Sequence, residues 1–182
     1  MAWSLDYRSP MESALLDDFF TISGKALYLA TAFEDKCKYL LFYFKLADHY
    51  KETGDVHASL DLANGLRGLL LGQTIKKIHT LDGIDDEDIK KIERAKEARN
   101  FIVHESTLIG TLILSKDTIK AIEEKNDRLR DELEYLTIGD NLVSQWLYEI
   151  QEKEPAPREL CLLYSNLVHR WVFKELSNDK DL

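Results

Sequence analysis

The chain has 182 residues, 45% of them hydrophobic and 31% charged, with three Pro and eight Gly, which is a folded helical composition and not a disordered one. Its formal net charge of −9 excludes the broad cationic surface that nonspecific DNA binding needs, although one basic cleft still fits. Two cysteines, Cys37 and Cys161, are too few for a disulfide framework, and no apolar run approaches the roughly 20 residues of a membrane span.

The opening Met1-Ala2-Trp3-Ser4-Leu5-Asp6 lacks the basic-then-apolar shape of a secretory leader, so a cytoplasmic protein without membrane contact is expected. Ser9-Pro10-Met11-Glu12 has the pattern of a helix start: a cap, a proline at the first position and a closing acid. A break is expected near Ser23-Gly24. A long apolar helix should then run from about Lys25 to Tyr50, with Leu29, Phe33, Cys37, Leu40, Leu41 and Phe44 inward. Its aromatic residues, Tyr28, Phe33, Tyr39, Phe42, Tyr43 and Phe44, suit a base-stacking pocket in principle, but stripes at helical spacing pack cores far more often.

Thr53-Gly54-Asp55 is a turn and cap. One helix is expected from about Val56 to Thr80, carrying Gly65, Gly68 and Gly72. Each glycine weakens it by up to ~1 kcal/mol relative to Ala, which a close helix crossing would explain. Leu81-Asp82-Gly83-Ile84 ends it. Asp85, Asp86, Glu87 and Asp88 then complement the next helix dipole and read as a solvated cap, not a calcium loop. After the central helix, a charged surface helix is expected at about Lys116–Leu136, starting at Ser115. Gly139-Asp140 reads as a break, and two shorter helices follow at about Asn141–Lys153 and Pro157–Leu176. No internal repeat and no strand-like alternation is present. The expectation is a single all-α domain, an up-and-down bundle of about five to six helices over residues 1–182.

The central helix, expected at about 86–114, holds the stretch of most chemical interest. Ile89, Ile92, Ile102, Val103, Ile109 and Ile113 recur at three- and four-residue steps, and Arg99 falls on their seam. Arg94 has Glu97 three residues on. Arg99 has only Ala95, Lys96, Ile102 and Val103 one turn away, so its charge must be met from elsewhere. His104 lies five residues further, roughly 140° around the helix. Asn100, four residues before His104, is placed to orient its ring.

Arg99-Asn100-Phe101-Ile102-Val103-His104 resembles the signature of the HEPN superfamily, an Arg followed after four to six residues by a His, often with a polar residue directly after the Arg. Members are small all-helical domains found as toxins, in abortive-infection systems and in RNA-guided nucleases. The resemblance implies a HEPN-like bundle, a cleft built across two paired motifs and ribonuclease activity, with an antitoxin protein as a possible partner. Toxins of this family that pair with a nucleotidyltransferase usually carry a Tyr two residues after the His. Here that place is Ser106.

The residue types suit cleavage of RNA by its own 2′-OH. A histidine, with an unperturbed pKa of ~6.5, moves the protons. An arginine fork holds the phosphoryl oxygens, and neither metal nor other cofactor is required. One motif supplies one histidine, so a homodimer would supply the second and would also account for a seam-facing arginine. His104 is thus the expected general acid/base and Arg99 the phosphate ligand, with Asn100 orienting His104 and Lys96 and Glu97 at the cleft rim. The competing expectation is structural: a helical His satisfied by packing and a half-buried Arg paired with a carboxylate from another helix, 33 acids being on hand. On that reading the chain is a non-catalytic module binding a partner protein or nucleotide. His49, His57, His79 and His169 have no comparable neighbours.

Overall fold

Every regular element in the structure, a computed structural model that describes residues 14–81, 83–107 and 116–173, is helical. In order they are α1 (Ala14–Thr53), α2 (Val56–Gly65), a 3-10 turn (Leu66–Gly68), α3 (Leu71–Ile78), α4 (Asp86–His104), α5 (Lys116–Glu152) and α6 (Arg158–Val172). The all-α bundle expected from the hydrophobic periodicity is present. None of the described helices is long and apolar enough to cross a membrane.

The glycines behave opposite to expectation. At Gly139, read as a break, α5 runs straight through; a side chain there would overlap Cβ of Ala95 on α4, while Phe33 of α1 lies at ordinary contact distance. The absent side chain lets α4 and α5 close on one another. Gly65 and Gly68, read as a crossing, have open space where a side chain would go, and there the single helix expected over 56–80 divides into α2, the 3-10 turn and α3. Gly24 does not break its helix either. α1 is continuous because Phe19, Ala26 and Ala30 on both sides of it are fully buried, and that packing outweighs one glycine.

The charged helix expected at the surface is instead the centre of the bundle. Ile122, Leu129, Leu133, Leu136 and Val143 are all fully buried, a narrow stripe sufficient to join α5 to α1, α4 and α6. Phe19 packs with Ile122 while Lys36 bonds Asp140, so α1 and α5 run parallel. Arg94 pairs with Glu132 and Lys125 bonds the Glu105 carbonyl, so α4 is antiparallel to both. α6 packs against α5 and reaches α1, where Lys25 Nζ donates to the Trp171 carbonyl, and α2 and α3 lie along α1.

Local signals at the turns held. Asp55 caps α2 through the amides of His57 and Ala58, after Gly54 at φ 66°. Asp85 caps α4 through the Asp88 amide at 2.8 Å. Cys37 is fully buried and desolvation pushes its thiol pKa up; Cys161 is half-buried, and both are free. The Ser9-Pro10 start, Ile109, Ile113, Ser115 and the stretch after Phe173 lie outside the described residues.

Candidate functional site

α4 carries the motif on the edge it turns toward α1. Ile89, Ile92, Ala95, Ala98 and Ile102 fill its inner face, which leaves Arg99 at the border between core and solvent with 19% of its side chain exposed. The helix ends ten residues earlier than expected, at His104. Ser106 closes it: its amide reaches the Phe101 carbonyl at 3.0 Å, and its hydroxyl donates to the Ile102 carbonyl at 2.6 Å. Ser106 is 1% exposed, so this position, two residues after His104, is sealed by a short, bonded side chain.

The carboxylate that Arg99 lacked locally comes from α1. Its Nη2 donates to Glu34, and its Nη1 donates to Asn100 Oδ1 at 3.2 Å. Glu34 also receives Lys38 Nζ at 2.9 Å. Burial pushes the Glu34 pKa up, but the Lys38 hydrogen bond and the charges of Arg99 and Lys38 outweigh it and hold the carboxyl below its usual value. Arg99 is therefore neutralised within one chain and needs no second subunit for that purpose. Its Nε is buried without an acceptor.

Asn100 does not make the expected contact. Its carbonyl is taken by Arg99, and among the described residues no hydrogen bond joins it to His104. The His104 ring is exposed at the last residue of α4, with no hydrogen-bond or ion-pair partner among the described residues. Glu97 is exposed and paired with Arg94 at 3.4 Å, as its spacing required. Lys96 is half-buried and carries no such pair among the described residues.

On the other flank of α4, Phe101 is 3% exposed and lies under two cations of α5, Arg128 at 4.0 Å from the ring centre and Lys125 at 5.4 Å. Helix geometry sets His104 between these flanks, roughly 60° from Phe101 and 140° from Arg99. The last turns of α4 are thus bordered by Arg99 on the α1 side, paired with Glu34, and by Lys125 and Arg128 on the α5 side, where Arg128 meets Glu105 at 3.5 Å and Lys125 bonds the Glu105 carbonyl at 2.8 Å. Cations and carboxylates alternate along this rim. Glu34, Lys38, Lys125 and Arg128 were missed by sequence reading. The one available signal was the unmet charge of Arg99, which required a carboxylate on a neighbouring helix without saying which.

A second polar cluster sits in the α1–α5–α6 interior. Lys36 Nζ bonds both oxygens of Asp140, at 3.0 and 2.9 Å, and Ser144 Oγ at 3.0 Å, while the Tyr164 hydroxyl donates to Asp140. Burial, followed by the neighbouring Asp140 charge, pushes the Tyr164 phenol pKa up. Among the described residues no group of three or more His, Cys, Asp and Glu side chains is placed to hold a metal. Comparison with protein-family models, with curated proteins and with solved structures finds no match.

Proposed function

We propose that the chain is a metal-independent endoribonuclease of the HEPN type, acting in a toxin–antitoxin or phage-defence setting, with an active site completed by a second copy. The observation that carries this reading is the end of α4: an unpartnered, solvent-facing imidazole on the same helix as a guanidinium, with Lys125 and Arg128 of α5 alongside. His104 would take the 2′-OH proton of RNA or protonate the leaving oxygen. Arg99 would hold the phosphoryl oxygens by exchanging Glu34 for phosphate. Lys96, Lys125 and Arg128 would attract the RNA backbone to that rim. Because each chain offers one such histidine, separate acid and base roles call for two copies.

The test is cleavage of RNA in the presence of a chelator by the purified protein, Arg99→Ala and His104→Ala. The reading expects cleavage by the first and a loss of at least about 100-fold in each variant, the usual range for an acid–base group. Equal rates in all three, or none in any, would defeat it.

A second reading, a non-catalytic helical module that binds a partner protein, is favoured by α6. Leu160, Leu163, Leu167 and Trp171 form one exposed row along it, a surface of the kind that contacts other helices. A strict monomer in solution without cleavage activity would favour that reading.

A further inference from the structure

We propose that the groove between the C-terminal part of α1, the start of α2 and the end of α5 binds a free medium-chain carboxylate, an apolar chain with one anionic head. Tyr43, Leu46 and Tyr50 of α1, Val56 and Leu60 of α2, and Ile150 of α5 line a hollow of about 470 Å³. That lies within the roughly 300–1,000 Å³ typical of small-molecule pockets. Val56 is 52% and Tyr50 50% exposed, so this is apolar surface left to water beside the core. The lining is almost wholly hydrocarbon and ring. A base or sugar would leave its polar edges unpaired there, whereas an alkyl chain would not.

The charge at the mouth selects the head group. Lys153 borders this groove and, with Lys51, the adjoining hollow beside Tyr43 and Ile150. Neither ammonium has a hydrogen-bond or ion-pair partner among the described residues, whereas nearby Lys45 is spent on Asp48 at 3.8 Å. Lys153 in the groove, and Lys51 in the adjoining hollow where Asp48 already faces Lys45, leave two unpaired ammonium groups to complement a carboxylate at the end of a chain.

The backbone at Lys153 points the same way. It is the first residue after α5, its amide bonds the Glu149 carbonyl at 3.1 Å, and its φ is 61°. That left-handed position favours glycine because a Cβ is crowded there, and glycine would close the helix equally well. A lysine in its place keeps an ammonium at the mouth against a steric penalty, which is a pattern of functional positions.

The experiment is calorimetric titration of the full chain with decanoate below its micelle threshold. One decanoate per chain is expected, with affinity weakened at least roughly tenfold by Lys153→Gly and by Val56→Glu. Both variants should fold: glycine relaxes the left-handed position, and a glutamate at the first residue of α2 suits the helix dipole. A trimethylammonium amphiphile of equal chain length should bind at least about tenfold more weakly than decanoate. No decanoate binding, equal binding of the cationic amphiphile, unchanged affinity in both variants, or adenosine monophosphate binding in place of decanoate would each overturn the proposal.

Discussion

Two clusters pair a cation with a carboxylate across helices, and they differ in how completely each is satisfied. In the interior, Asp140 is 3% exposed and receives Lys36 and Tyr164, with Ser144 joined through Lys36. At the edge of α4, Arg99 meets Glu34 and Asn100 but leaves Nε without an acceptor, and the next chemical group along the helix, His104, is exposed and unpartnered. A closed network fixes packing, since every buried polar atom that stays bonded favours one arrangement of the helices. On the function proposed above, the open cluster keeps an exposed imidazole for something that arrives later, so that stability would rest with the first cluster and chemistry with the second.

Substitutions can break that assignment, and the largest effect on stability should come from the interior. Asp140→Ala strips Lys36 and Tyr164 of a shared buried acceptor and should cost about 3–5 kcal/mol in urea unfolding. Activity per folded molecule should not change. Gly139→Val tests the close approach of α4 and α5 beside that cluster. Overlap with Ala95 should cost about 1–3 kcal/mol, whereas Gly65→Ala, facing open space, should not destabilise.

Glu34→Gln sharpens the contrast at intermediate size. The folded Glu34 carboxyl titrates below its unfolded value, so the ion pair adds stability above the ordinary carboxylate range, near pH 4.3, and loses it as pH falls through the lower folded value. Wild type should exceed Glu34→Gln by about 1 kcal/mol at neutral pH, and urea titrations should show the gap closing in acid. His104→Ala should have the smallest effect on stability, within about 0.5 kcal/mol, as expected for an exposed side chain. A large loss of stability there would place His104 with the structural cluster.

Periodicity made most of the bundle legible, and its errors have a common physical source. Gly24, Gly65, Gly68 and Gly139 are the same residue in the chain, yet one is absorbed into α1, two attend the breaks after α2 and one permits the close approach of α5 to α4. What decides is the space around each, which only the packed neighbours supply. Asp140 continues the series Ile122, Leu129, Leu133, Leu136 and Val143 at helical steps, and that acid in an apolar row was a readable sign of a buried pair. The glycine before it reads as a break instead. At the motif, the need of Arg99 for a carboxylate was readable, but Glu34 lies 65 residues away and no local rule connects them. Asn100 was assigned to His104 by spacing alone. The guanidinium beside it is the stronger donor and takes its carbonyl.

The most direct test of the claim that the end of α4 is chemical uses chemical rescue. His104→Gly leaves a gap on an exposed surface, and imidazole added to it should restore RNA cleavage in proportion to its concentration, while Arg99→Ala should gain nothing. If the folded His104→Gly variant cleaves as fast as the unaltered chain, or if imidazole restores nothing to a variant that has lost cleavage, the imidazole at position 104 is not the proton carrier and the account fails.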